Sequence, residues 1–317
     1  MLSADAERAL AVLHDAVLEP AFRPASFALE RDAQLAALRQ DTDDVVTFGR
    51  KLLRRKFFGA YPLAVDAQGD EAGVAALRPR DMIRLHRRLL VASNIVLTVA
   101  GDFTPAKLLP KLKAFLARLP QGKAAPLATV FGGVAEHGEF VEKQQRQQAV
   151  VFQAYRGPSV HAADFFVSEV ADELFSGMSS RLFERVREEK GLAYFVRSSR
   201  VIGLEAGMFF FMAGTAPDSE GAVLAEINAE VARVAAGGVE PAELLRCQTR
   251  LKAARIMGLQ TNAARAAQAG LNAIYGLPVN DWVNHPARID AVTIEDLAQF
   301  ARHYLRDDAR VRLVVRP

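Results

Sequence analysis

An internal repeat restricts the fold more than any other feature of this sequence. The segment Asp81-Met-Ile-Arg-Leu-His-Arg-Arg-Leu-Leu and the apolar run Ile95 to Ala100 align without gaps on Asp296-Leu-Ala-Gln-Phe-Ala-Arg-His-Tyr-Leu and Arg310 to Val315, an offset of 215 from Asp81 to Asp296. Phe58-Gly59 matches Tyr275-Gly276 and Pro24 matches Pro241, both at 217. A repeat of this length marks a duplicated domain, not a solenoid unit. The second copy opens with strands near Glu136, whereas Met1 corresponds to about residue 217 of that copy. The difference, 217 minus 136, leaves about 81 residues of the first copy, with its opening strands, outside this sequence. We therefore expect an incomplete first domain over residues 1–120, a linker over 121–135 rich in Gly, Pro and Ala, and a second domain over 136–317.

Periodicity supplies the elements. Helices are expected over Asp5 to about Leu38 with a break at Glu19-Pro20, over Asp44 to Phe57 with Gly59 as C-cap, over Asp81 to Leu90 and over Thr104 to Leu119, with a single strand at Asn94 to Ala100. The second half reads as strands Gly138 to Glu142 and Gln148 to Tyr155, helices Ala162 to Phe175 and Ser179 to Glu189, and strands Ala193 to Val201 and Gly207 to Thr215. A helical stretch from Ser219 to about Phe300 follows, and the strand Val311 to Val315 closes the chain. The fold class is α+β. Helices of the first half have only one strand to cover their apolar faces, so the sequence is expected to be a gene fragment, a processed chain or a subunit completed by a partner.

Half of the residues are hydrophobic and 24% are charged, the balance of a packed globular protein. The longest apolar runs, such as Gly207 to Ala213, fall far short of the ~18 residues that span a bilayer and read as buried strands. The same holds for Phe209-Phe210-Phe211, which suits strand core better than a cofactor box. No basic-then-apolar leader is visible at Met1-Leu-Ser-Ala-Asp-Ala-Glu, and the compartment, cytoplasmic or periplasmic, is not legible. The net charge of +3 is spread among interspersed acids, which argues against nucleic acid as a partner. The single cysteine, Cys247, excludes an internal disulfide and reads as a packed thiol.

The run Ser176-Gly-Met-Ser-Ser-Arg-Leu-Phe-Glu-Arg-Val-Arg-Glu-Glu-Lys-Gly-Leu-Ala-Tyr194 resembles the signature stretch of the C-terminal half of pitrilysin/insulinase-type zinc metallopeptidases. Leu10 to Phe22, Phe27 to Leu38, Leu53-Arg-Arg-Lys-Phe-Phe-Gly59 and Asn94-Ile-Val-Leu-Thr-Val-Ala-Gly-Asp102 are similar to that family's N-terminal half from its middle onward, so the resemblance covers nearly the whole chain. It implies two homologous halves that face each other across a chamber, each with a largely antiparallel sheet covered by helices. One half of such a protein holds zinc through His-x-x-Glu-His plus a distant glutamate. Two His at i and i+4 share a helix face, and the Glu between them activates the metal-bound water.

No His-x-x-Glu-His occurs here, and the six histidines (His14, His86, His137, His161, His285, His303) lack ligand spacing. Ala36-Ala37 stands where the third ligand of a zinc-bearing member falls. The resemblance thus implies no metal in this chain and zinc on a partner half. It also assigns Arg187 and Tyr194 as the arginine and tyrosine that the family's second half directs at the scissile peptide, auxiliary residues that bind substrate and stabilise the transition state. Read without the resemblance, Arg187 pairs with Glu184 on a solvated helix face and Tyr194 packs on a sheet. Gly191 is expected to take the left-handed cap between them, and Ser179-Ser180 to cap the helix that begins near Arg181.

Two functions follow. The first is an auxiliary subunit or half, inactive alone, that acts with a zinc-bearing homologous partner on unfolded peptides. The second is a non-catalytic core subunit of a larger assembly.

Overall fold

The computed structural model describes residues 5–126, 130–145, 147–177 and 179–317. Residues 127–129 of the expected linker and Met178 of the signature run lie outside the described residues. In chain order the elements are α1 (Ala6–Leu18), α2 (Pro24–Asp43), α3 (Val45–Phe58), α4 (Glu71–Ala76), α5 (Pro79–Leu89), α6 (Pro105–Ala117), β1 (Gly138–Lys143), β2 (Ala149–Gly157) and α7 (Phe165–Phe175). A π-helix (Phe183–Glu189) follows, then β3 (Ala193–Val201), β4 (Gly207–Thr215), α8 (Glu220–Ala235), α9 (Pro241–Gly258), α10 (Asn262–Ile274), α11 (His285–Asp290), α12 (Ile294–Tyr304) and β5 (Val311–Arg316).

The chain forms two compact units, each assembled from separate stretches: residues 1–39, 68–127 and 258–281 in one, and residues 40–67, 128–257 and 282–317 in the other. Residues 40–67, from the expected first domain, thus group with the sheet of the second half.

The larger unit is built on a mostly antiparallel five-stranded sheet of order β1-β5-β2-β4-β3, in which only β1 and β5 run parallel. It is the α+β sheet with flanking helices expected from the sequence. The central strands β2 and β4 are buried on both faces, and this is why they read as continuous apolar runs without alternation. One face packs Val151, Phe209, Phe211 and Val196 against Val170 and Phe175 of α7, Ile227 of α8 and Phe300 of α12. The other sets Phe152, Phe210 and Met212 against Leu53, Phe57 and Phe58 of α3. The three consecutive phenylalanines therefore serve both cores, each worth roughly 1.5–3 kcal/mol of burial. Helix α3 comes close enough that a Cβ on Gly49 would sit 2.3 Å from the Phe152 ring, and Gly59, at φ +56°, caps it as expected.

The smaller unit is helical. Its expected strand at Asn94 to Ala100 is not one: residues 92–94 form a 3-10 turn, and 95–100 pair with no strand among the described residues. A strand is a pairing between segments and not a local state, so β-branched residues alone cannot make it. The side chain of Thr98 instead donates to the carbonyl of Ala266 on α10 (2.8 Å). The repeat is visible in the caps: Asp81 accepts from the Arg78 N–H and Asp296 from the Thr293 N–H, both at 2.9 Å, and each opens its helix in the same way.

Elsewhere the structure trims the sequence reading. The helix expected from Ala162 starts at Phe165, because residues 162–164 are held in a turn closed by the Phe165 N–H on the Ala162 carbonyl (3.1 Å). The long helical stretch after Ser219 is divided by Gly237 (φ +82°), by the Thr261 cap and by Gly276 (φ +71°).

Candidate functional site

The signature segment begins with a cap. The Phe183 N–H donates to Ser180 Oγ (3.2 Å), and the chain then winds into the π-helix Phe183–Glu189 where an ordinary helix was expected. Such wide turns are rare and concentrate at functional positions. Leu182 and Val186 are fully buried beneath it.

Charge fastens its flank. Arg181 makes a forked contact with Glu243 of α9 (Nε to Oε1 3.0 Å, Nη2 to Oε2 2.5 Å), lies 3.4 Å from Glu230 of α8, and also donates to the Gly238 carbonyl. Arg185 bonds Glu226 at 3.1 Å, and Lys190 reaches the same carboxylate. Glu230 is fully buried and lies among Arg181, Arg185 and Arg233. Two helices thereby hold one edge of the signature segment by ionic contacts in a partly desolvated setting, where such contacts fix geometry strongly.

Gly191 ends the helix in the left-handed region at φ +60°, with its N–H on the Arg187 carbonyl (3.1 Å). The next N–H, of Leu192, returns to the Val186 carbonyl (2.8 Å), so the strand start folds back over the helix end. Thr215 Oγ1 donates to the Leu192 carbonyl and fastens this turn to β4. The β3–β4 register then slips: Ala193 faces Thr215 and Phe195 faces Gly214, leaving Tyr194 as a bulged residue opposite nothing. The Phe195 ring lies over Gly214, where a Cβ would be 2.4 Å from Cε1.

Tyr194 is consequently 59% exposed rather than packed on the sheet. Arg187 is half-exposed; its guanidinium stacks over Phe183 (4.8 Å to the ring centroid) and its Nε lies 3.7 Å from Glu188. The expected alternative partner, Glu184, is not the one it meets. The two side chains sit on opposite arms of the Gly191 turn. Each is free to donate outward, the phenol through its O–H and the guanidinium through its fork. Beside them β3 is an outer strand of the sheet, nine residues long, and it carries exposed Arg197, which has no ion-pair partner among the described residues.

The residues present do not fit a zinc site. Among the described residues no group of three or more His, Cys, Asp or Glu converges. His14 meets Asp15 (3.1 Å), and His86 meets the Val17 carbonyl (2.7 Å). His285 is buried with Nε2 on Glu169 (3.0 Å) and no partner at Nδ1.

The ionic tether escaped sequence reasoning. Its signal was present: Glu230 falls on the buried stripe Val223, Ile227, Val231, Val234 of α8, and a carboxylate there calls for a buried cation.

The profile of the family described as the inactive domain of peptidase M16 matches residues 76–251. An uncharacterized zinc protease of Rickettsia bellii is 26% identical over 283 residues, 87% of this chain and 67% of that protein. One of Streptomyces coelicolor is 26% identical over 315 residues, 96% of this chain and 68% of that protein. The chain thus spans about two thirds of the length of such curated relatives. A crystal structure of a peptidase M16 inactive domain from Pseudomonas fluorescens superposes with a TM-score of 0.89 at 20% identity, covering 99% of this chain and 76% of that one.

Proposed function

This chain belongs to the peptidase M16 inactive-domain family, and on that premise we propose that it is the auxiliary half of a two-part peptidase, presenting Arg187 and Tyr194 to an unfolded peptide beside a homologous half that carries zinc. The observation that supports the reading is the exposure of both side chains on the two arms of one glycine turn. A bulge that leaves a tyrosine exposed has no evident use in stability, and the arginine across the turn stays half-exposed outside the ionic tether.

An extended peptide adds to the outer side of β3, where backbone N–H and C=O groups have no ladder partner, and its carbonyl then comes within reach of the two donors. Arg187 and Tyr194 donate to that oxygen as negative charge develops on it. Each donor is worth on the order of 3 kcal/mol when aimed at the transition state. Neither generates a nucleophile, so this chain alone leaves peptides uncut.

The test is hydrolysis of a quenched unstructured peptide by the purified chain, by a zinc-bearing homologue, and by the mixture, with a chelator control. We expect chelator-sensitive activity in the mixture only, and a fall of about 10²–10³-fold with Arg187→Ala or Tyr194→Phe. Undiminished activity with both variants would remove the auxiliary role and leave the core-subunit reading.

A further inference from the structure

A cleft of about 400 Å³ lies on the larger unit between the end of α7, the turn that carries Ser176, Ser179 and Ser180, and α9. Its size is that of a small-ligand site. Neither Arg187 nor Tyr194 lines it.

Its chemistry is lopsided. Leu174 and Cys247 contribute buried apolar wall, and Leu245 adds an exposed aliphatic side chain. Burial pushes the Cys247 thiol up to about 12, so it stays neutral at physiological pH. Four charged lining groups remain. Glu173 takes Arg250 Nε (2.9 Å), and Glu243 takes the fork of Arg181 from outside the cleft. Arg246, one turn before Arg250 on α9 and exposed, has no hydrogen-bond or ion-pair partner among the described residues, and the Ser179 hydroxyl has none either. The cleft therefore holds one uncompensated guanidinium above an apolar wall, with two carboxylates close by that are already spoken for.

That combination selects among anions. A guanidinium matches a carboxylate or a phosphate in forked geometry. A dianionic phosphate would be repelled by Glu173 and Glu243 and would leave the apolar wall unused. A monocarboxylate with an aliphatic neighbour satisfies both. We propose that this cleft binds the free C-terminal carboxylate of a peptide ending in an aliphatic residue, with Arg246 and Ser179 on the carboxylate and the last side chain against Leu174 and Cys247. The reading is independent of any zinc-bearing partner.

The experiment uses the full chain and three probes: acetyl-leucyl-leucine, its C-terminal amide, and octanoate. Binding is measured by calorimetry, and its location by the modification rate of Cys247, the sole cysteine, with a small thiosulfonate at alkaline pH. We expect the free acid to bind and to slow modification about tenfold at ten times its Kd. The amide should do neither, and Arg246→Gln, an exposed substitution that leaves folding intact, should weaken the acid by about ten- to hundredfold. Equal binding of acid and amide, or protection that survives Arg246→Gln, would overturn the proposal. So would the absence of binding at millimolar acid. Octanoate binding as tightly as the peptide acid would overturn the peptide assignment in favour of a fatty acid.

Discussion

The Phe195 ring over Gly214 accounts for the bulge that leaves Tyr194 exposed, and a substitution cycle tests the coupling between ring and glycine. A methyl group at position 214 would lie 2.4, 2.9 and 3.0 Å from Cε1, Cδ1 and Cζ of Phe195. Carbon atoms pack at about 3.5–4.0 Å, so the ring must retreat by roughly 1 Å. Phe195 is only partly buried, and its retreat is resisted by the core on its own face of the sheet, against which it packs. We therefore place Gly214→Ala at about 1–3 kcal/mol of destabilisation, the usual range for overpacking. Phe195→Ala should cost about 1–2 kcal/mol, below the range for a fully buried phenylalanine. In the Phe195→Ala background the clash is absent, and alanine gains about 0.5–1 kcal/mol over glycine in a strand. The two substitutions should thus be coupled by about 1.5–4 kcal/mol. Urea unfolding followed by the fluorescence of Trp282, the sole tryptophan and part of the same unit, reports the relevant transition. Equal costs of Gly214→Ala in both backgrounds would refute the claim that ring and glycine set the bulge.

Glu230→Ala should destabilise the larger unit by about 1–3 kcal/mol, because it removes the buried carboxylate from among Arg181, Arg185 and Arg233 while Glu243 and Glu226 still hold the first two, and a thermal melt with no shift would contradict this. Acid sensitivity provides another check. Burial raises the Glu169 carboxyl, but the His285 hydrogen bond and the Arg200 charge outweigh it and the net shift is downward. A depressed folded value means that Glu169 stabilises above its ordinary 4.5 and that this contribution is lost as pH falls. Asp172, raised by burial against the pull of the Ser198 hydroxyl and Arg200, works in the opposite sense on acidification. Glu169→Gln should accordingly be less stable at pH 7, with a shallower loss between about pH 5 and pH 3 in urea titrations; parallel curves would remove Glu169 from the acid limb.

What the sequence made legible is what residues decide over a few neighbours. Gly59 and Gly191 are left-handed caps where the pattern placed them, and Ser180 caps the signature helix. Strands Ala193–Val201 and Gly207–Thr215 have the bounds that their apolar content suggested. Each of these depends on hydrogen bonds spanning a turn or on burial summed along one segment. The unread features are pairings at a distance. Residues 95–100 have strand composition and no strand to join, while Arg181 finds Glu230 and Glu243 across 49 and 62 residues. The bulge depends on Phe195 meeting Gly214 on another strand. The same distinction separates the two parts of the candidate site. Arg187 and Tyr194 lie in one contiguous run, whereas the tether and the bulge that flank them are supplied by α8, α9 and β4. A chain that kept the run and lost Glu230 or Gly214 would retain both residues in sequence while losing contacts that flank the turn between them, and substitutions at Glu230 and at Gly214 separate those cases.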